Sequence, residues 1–280
     1  MKALKPILIL CTALCFATSC KKEVDMTLVQ KTVYENNDLS MFHVDDGWEV
    51  TFVYDSLNSF VELEYSAYLE EYVSVSNTND WLSIGFKGYV YKQPGSVFKA
   101  TVHTSERDFL SIIAENACVI NMEGLFELES INLDLRNASV CNGFEVVAES
   151  CYIGLGDGSQ MLGAQYTGTN CTVFASKESV CNGYFNAEET FTAGVHISSR
   201  LIVFGGSISS ASLEVKNAGT INMAQAEVKD MNVYLAEASE ATVNVSNTMS
   251  GFLLSGSTLY YKGHPQIDID CSDDSQIIPF

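Results

Sequence analysis

Apolar residues recur through the second half of the chain in columns twenty positions apart. One column reads Leu133, Ile153, Val173, Ala193, Leu213 and Val233; a second, two residues on, reads Leu135, Leu155, Ala175, Val195, Val215 and Leu235. A small-residue column follows at Ser139, Ser159, Ser179, Ser199, Gly219 and Ser239, then an apolar one at Cys141, Met161, Cys181, Leu201, Ile221 and Ala241. The pentad Ser139-Val140-Cys141-Asn142-Gly143 returns unchanged at Ser179-Val180-Cys181-Asn182-Gly183. A fixed period of this length marks a solenoid, because a single unit cannot bury its apolar face and must stack on its neighbours.

Within a unit, apolar residues two apart, a small polar corner and another alternating pair read as short strands joined by tight turns. No helical period intervenes, so successive coils pair in parallel. The expected fold is all-β: a single-stranded right-handed parallel β-helix of about 20 residues per coil with irregular capping strands. Starts near Ile112, Leu133, Ile153, Val173, Ala193, Leu213, Val233 and Leu253 give about eight coils, a column on the order of 38 Å tall at the spacing of neighbouring strands.

The regular coils are assigned to residues 111–263. Before them, residues 39–110 alternate as strands, as in Val50, Phe52 and Tyr54 or Val61, Leu63 and Tyr65, but lack the twenty-residue step; they are expected to cap the N-terminal end. Tyr89 to Ser96 reads as a protruding loop. At the other end Ser257 follows Ser239 by eighteen, and a Gly263-His264-Pro265 turn before Ile267 and Ile269 predicts a closing hairpin within residues 264–280.

Charge narrows the partners. Fifteen Lys and Arg face 35 Asp and Glu, a formal net charge of -20, which repels phosphate backbones and argues against nucleic acid. Lys2 and Lys5 precede an apolar run from Ile7 to Phe16 and then Ala17-Thr18-Ser19-Cys20, the layout of an export leader over residues 1–19. The run is too short to span a bilayer. A Cys directly after small residues resembles a bacterial lipobox, in which Cys20 becomes the lipidated first residue of the mature chain; residues 20–38 then form a tether. The expected location is an outer-membrane lipoprotein, at the cell surface or on the periplasmic face. Six cysteines remain beyond Cys20, without a C-x-x-C pair that would support zinc or thioredoxin chemistry. Cys151 and Cys171 lie one coil apart in one column and could form a disulfide or remain buried thiols; Cys141 and Cys181 are two coils apart, too far to bond.

A lipobox leader, a strand running into Leu82-Ser83-Ile84, Ala-Ser or Gly-Ser corners at twenty residues, and the closing Gly256-Ser257-Thr258-Leu259-Tyr260-Tyr261-Lys262-Gly263-His264-Pro265 resemble the putative auto-transporter adhesin, head GIN domain family of Bacteroidetes lipoproteins. The likeness runs from about Leu39 to Phe280, with Gly47-Trp48-Glu49 where the family's Gly-Ile-Asn would fall. It implies a right-handed β-helix with an adhesive or structural role and no catalytic residues to carry over.

Candidate chemistry is sparse. A serine in nearly every coil is a shape residue, since nucleophilic catalysis wants one activated Ser beside a base. A β-helix polysaccharide lyase or hydrolase would need acids converging on one face; Asp157 and Glu237 share a column but stand four coils apart, and Glu145, Glu149, Glu188 and Glu189 read as solvated charges. Asp268, Asp270, Asp273 and Asp274 form an acidic tail without a calcium-loop pattern. The four histidines, His43, His103, His196 and His264, have no metal-ligand spacing. No cofactor is expected. The tyrosines 65, 68, 72, 89, 91, 260 and 261 gather toward the two ends, where they either fill the caps or meet a ligand. The reading that results is a lipid-anchored, non-catalytic, adhesin-like module for a surface glycan or protein, with a carbohydrate-active enzyme or a periplasmic structural lipoprotein as the alternatives.

Overall fold

The computed structural model describes residues 24–34, 39–78, 80–272 and 274–280. The leader and Cys20 lie outside the described residues. What is described is a β-solenoid of about eight regular turns with roughly 20 residues per turn. The strand Leu125–Leu135 pairs in parallel with Glu145–Leu155, residue on residue at an offset of twenty, so that Leu133 faces Ile153 and Leu135 faces Leu155. The same register passes to Val173 and Ala175, Ala193 and Val195, Leu213 and Val215, then Val233 and Leu235. All of these side chains are buried in one continuous core. A β-strand alternates faces, so an offset of constant parity keeps every inward position inward.

The turn that makes the offset constant is a pair of left-handed residues. Asn137 and Ala138, Asp157 and Gly158, Lys177 and Glu178, Ile197 and Ser198, Asn217 and Ala218, and Glu237 and Ala238 all have φ between +52° and +76°. Left-handed backbone disfavours a β-branched residue most, so Ile197 there signals that the stack imposes the conformation. Its benefit is a hydrogen-bond ladder along the corner: the amide of the second residue donates to the carbonyl of the first in the next coil, as in Ala138 to Asp157 at 2.9 Å, Gly158 to Lys177 at 2.9 Å, Glu178 to Ile197 at 3.0 Å and Ala218 to Glu237 at 2.9 Å. The serine that follows is buried, and its hydroxyl donates to the carbonyl three residues back: Ser139 to Arg136, Ser159 to Gly156, Ser179 to Ser176, Ser239 to Ala236 and Ser257 to Leu254, at 2.6 to 2.8 Å. Buried polar groups must be satisfied, which is why the column is Ser rather than Ala. In the coil before Ser139 the thiol of Cys118 makes the same contact to Glu115.

The N-terminal strands are stacked out of chain order. Met41–Val44 pairs in parallel with both Trp81–Phe86 and Phe109–Ala114, and Glu49–Tyr54 with both Phe98–Thr104 and Val119–Glu123. The coil through Phe42 and Phe52 therefore sits between one that follows it by about forty to fifty residues and one that follows it by about seventy. Its corner, Asp46 and Gly47, is left-handed like the others. Trp48 is fully buried there, with ring centroids 5.5 Å from Phe86 and 6.2 Å from Phe98. The end itself is closed by antiparallel strands: Phe60–Ser66 on Phe98–Thr104, Leu28–Val33 on Phe60–Ser66, and Val73–Thr78 on Trp81–Phe86.

The hairpin expected at the C-terminus is replaced by one more parallel rung. Gln266–Cys271 pairs in parallel with the end of Glu240–Leu253, and Gln276–Pro279 with Thr258–Gly263. The period shortens to eighteen, and the serine column continues to Ser257 and Ser275, whose hydroxyl accepts the Ser257 amide at 3.2 Å.

Leu155→Asp places an unpaired charge in the core and should cost several kcal/mol; thermal unfolding followed by circular dichroism should show loss of the cooperative transition. Gly219→Ser would restore the serine column, yet a Cβ at Gly219 would lie 2.3 Å from the Val195 carbonyl oxygen. The consensus residue is therefore expected to destabilise by about 1–3 kcal/mol, read as a lower midpoint in urea.

Candidate functional site

Outward positions of the strands through Asp134 form one flat face. One column reads Asp134, Gly154, Phe174, Gly194, Glu214, Tyr234, Phe252 and Asp270, and the neighbouring one Asn132, Tyr152, Thr172, Thr192, Ser212, Asn232, Ser250 and Asp268. Two glycines let rings lie down on this face. A Cβ on Gly194 would meet Phe174 Cδ2 at 2.7 Å, and one on Gly154 would meet Tyr152 Cε1 at 3.0 Å. Tyr152, Phe174 and Phe252 are exposed. Phe174 and Tyr234 stand three rungs apart, about 14 Å at the strand spacing.

Charged pairs fill the space between the rings. Arg136 Nη1 donates to Glu115 at 2.9 Å and its Nη2 to Asp134. Lys216 Nζ sits 2.6 Å from Glu214 and 5.0 Å from the centre of the Tyr234 ring. His196 packs edge-on against Phe174, with Nε2 3.4 Å from Glu214 but not aligned for a hydrogen bond. The result is a platform of rings and paired charges without a deep cleft. Open depressions lie elsewhere, over the N-terminal cap, and one of about 350 Å³ is lined by Lys31, Glu62, Glu64 and Lys99.

Carboxylates come together in ways that do not favour acid catalysis. Glu115 and Asp134 share Arg136, and Asp157 is paired with Lys177 at 2.9 Å. Every carboxyl with a resolved shift moves down: Glu214 through its hydrogen bond to Lys216, Asp230 through Thr248 and Asn247, Asp25 through Thr27, and Asp274 through Ser272. A glycosidase needs one carboxyl held up as a proton donor. Glu145, Glu149, Glu188 and Glu189 are exposed. His43, His103 and His196 each lie within 4 Å of a different glutamate, and no cluster of metal-ligating side chains occurs among the described residues.

Of the tyrosines that gather toward the ends, Tyr65 is core and Tyr260 and Tyr261 are half-buried, while Tyr89 and Tyr91 project from the loop between Phe86 and Phe98. The rings at 152, 174, 234 and 252 were not distinguished in the sequence. For Phe174 and Tyr152 the signal is a glycine one coil or two residues away; Tyr234 and Phe252 join them only through the register of the coils.

A sequence profile for the putative auto-transporter adhesin, head GIN domain family matches residues 39–265. The chain belongs to that family. Three crystal structures show the same fold as this head GIN domain protein at low identity. A putative adhesin from Parabacteroides merdae is 13% identical, covers 90% of this chain and 96% of its own, and has a TM-score of 0.58. A putative adhesin from Parabacteroides distasonis is 14% identical over 91% of this chain and 95% of its own, TM-score 0.61. A putative lipid binding protein from Parabacteroides distasonis is 12% identical over 92% and 98%, TM-score 0.65. No curated protein matches the chain in sequence. Among the described residues no helix is long and apolar enough to cross a membrane.

Cys151 and Cys171 occupy paired positions on adjacent rungs and are free thiols. Burial pushes Cys118 and Cys141 up to about 12, so neither carries appreciable thiolate at neutral pH. Cys271 is exposed. Alkylation of the native protein at pH 8 should modify Cys271 alone among the six, with the others reacting only after unfolding; mass spectrometry of the digested protein checks this.

Proposed function

We propose that this head GIN domain protein is a lipid-anchored adhesin-like module of the cell envelope that binds an external glycan or protein and performs no chemistry. The observation that carries the reading is the ring platform. The rings of Phe174 and Tyr152 lie over Gly194 and Gly154 on the sheet, and both residues are exposed. An aromatic face joins a large apolar area to a polar edge, which suits the apolar side of a sugar ring or a protein surface. Rigid backbone beneath the rings lowers the entropy lost on binding. Family membership agrees with an adhesive role.

The anchor would be Cys20, which would become the mature N-terminus. Against the enzyme alternative stand the ion pairs that engage Glu115, Asp134 and Asp157 and the lowered carboxyl of Glu214 beside Lys216. Against a purely structural role stands the exposure of rings that the core has no need of.

A glycan array probed with the wild-type chain and with Phe174→Ala/Tyr234→Ala tests the platform. Binding should fall at least about tenfold in the double variant, equivalent to about 1.4 kcal/mol, with the unfolding midpoint unchanged; a ligand held equally well by both proteins would move the site off this face. Cys20→Ala should abolish incorporation of labelled fatty acid and release the protein from the membrane fraction. Protease shaving of intact cells should cut the protein, whereas survival would place it on the periplasmic side.

A further inference from the structure

We propose that the capped N-terminal end of the column is a membrane-contact surface, with lipid headgroups as its partner, so that the protein stands on the membrane instead of swinging from its lipid. The inference rests on the reading of Cys20 as the anchor.

From Asp25 on, the segment read as a tether in the sequence is part of the body. Asp25 accepts a hydrogen bond from the Tyr68 amide at 3.1 Å, and Thr27 one from the Ala67 amide at 2.7 Å. Asp25 is five residues from Cys20, a reach of at most about 18 Å for an extended chain. The short helical turn Ala67–Leu69, bonded to this segment, is thereby kept near the anchor.

What lies there is apolar and exposed. Val24, Met26 and Leu28 are 37%, 38% and 50% exposed on alternate positions of the leading segment. Tyr68 also fixes the neighbouring loop: its hydroxyl meets Ser96 Oγ at 2.5 Å and accepts the Gln93 amide at 3.0 Å. On that loop Tyr89 and Tyr91 are 93% and 68% exposed. With Tyr68 and Tyr72 they border an open cleft of about 360 Å³. Four tyrosines and three aliphatic side chains at one end are what an interfacial surface requires, since tyrosine rings partition to the headgroup level with the ring in apolar surroundings and the hydroxyl in water.

Charge orients the column the same way. Among the described residues, Asp268, Asp270 and Asp274 crowd the end of the column far from the cap. Anionic headgroups repel the acidic end and leave the capped end free to approach. The ring platform then runs up the side of the standing column, clear of the bilayer.

The full lipidated chain, reconstituted in phosphatidylethanolamine and phosphatidylglycerol vesicles containing brominated lipid, provides the test. A fluorophore is placed at the N-terminal end through Tyr91→Cys in a Cys271→Ser background, or at the far end on native Cys271. Quenching at position 91 should exceed that at 271 by at least about threefold, the contrast expected of an interfacial group against one held far from the lipid. Adding Met26→Ser and Tyr89→Ser should reduce the contrast while leaving fatty-acid incorporation unchanged. Equal quenching at the two positions, with lipid on Cys20, overturns this inference and spares the anchor. Absence of lipid from Cys20 overturns both.

Discussion

The structure depends on a corner. Two consecutive left-handed residues turn the chain in each coil, and their peptide groups bond to the corner above and below instead of to water. A left-handed residue other than Gly or Asn is a local cost, borne here even by Ile197 and Lys177. It is offset because the turn fixes the number of residues per coil, and that number fixes which side chains point inward. The buried serine closes the arrangement by adding its hydroxyl to the carbonyl three residues back, which at Ser139 and Ser159 also accepts the serine's own amide.

A column built this way offers function only on its outside and at its ends. The interior is filled by aliphatic side chains, thiols and buried rings such as Phe126, Phe144, Phe185 and Phe191, and the sheets hold outward residues in fixed rows. Rings can lie on such a row where a glycine leaves room, as Phe174 does on Gly194. Acids on the outside are paired with Arg136, Lys177 and Lys216, and the hydrogen bond from Lys216 holds the Glu214 carboxyl below its usual range, an arrangement that suits a binding surface better than a proton-transfer site. The ends differ in chemistry: antiparallel strands and tyrosines close one, and a last parallel rung with carboxylates forms the other.

How much of this could be read from the sequence follows from one condition, a constant offset. Where neighbouring coils in space are neighbouring coils in the chain, as from Leu133 to Leu235, the columns and their inward residues stand out directly. The coil through Phe42 and Phe52 escaped because its partners lie about forty to fifty and about seventy residues away, so that no period links them. Val50, Phe52 and Tyr54 were legible as a strand of an irregular first coil, but not with the partners that flank it. At the C-terminus a shortening to eighteen hid Ser275, and the Gly263-His264-Pro265 sequence imitated a hairpin turn while the strand after it continued upward. The ring platform was illegible for a different reason: aromatic residues at irregular spacings become one surface only after the coils are superposed.

Amide hydrogen exchange tests the corner most directly. If each left-handed turn is bonded to the next coil, the amides of Ala138, Gly158, Glu178, Ser198, Ala218 and Ala238 should be protected to the same degree as the strand amides of Ile153 and Val173, and should open only with the whole stack. If these amides instead exchange as fast as those of exposed Leu57 and Asn58 while the strands stay protected, the corners are ordinary surface loops and do not set the register.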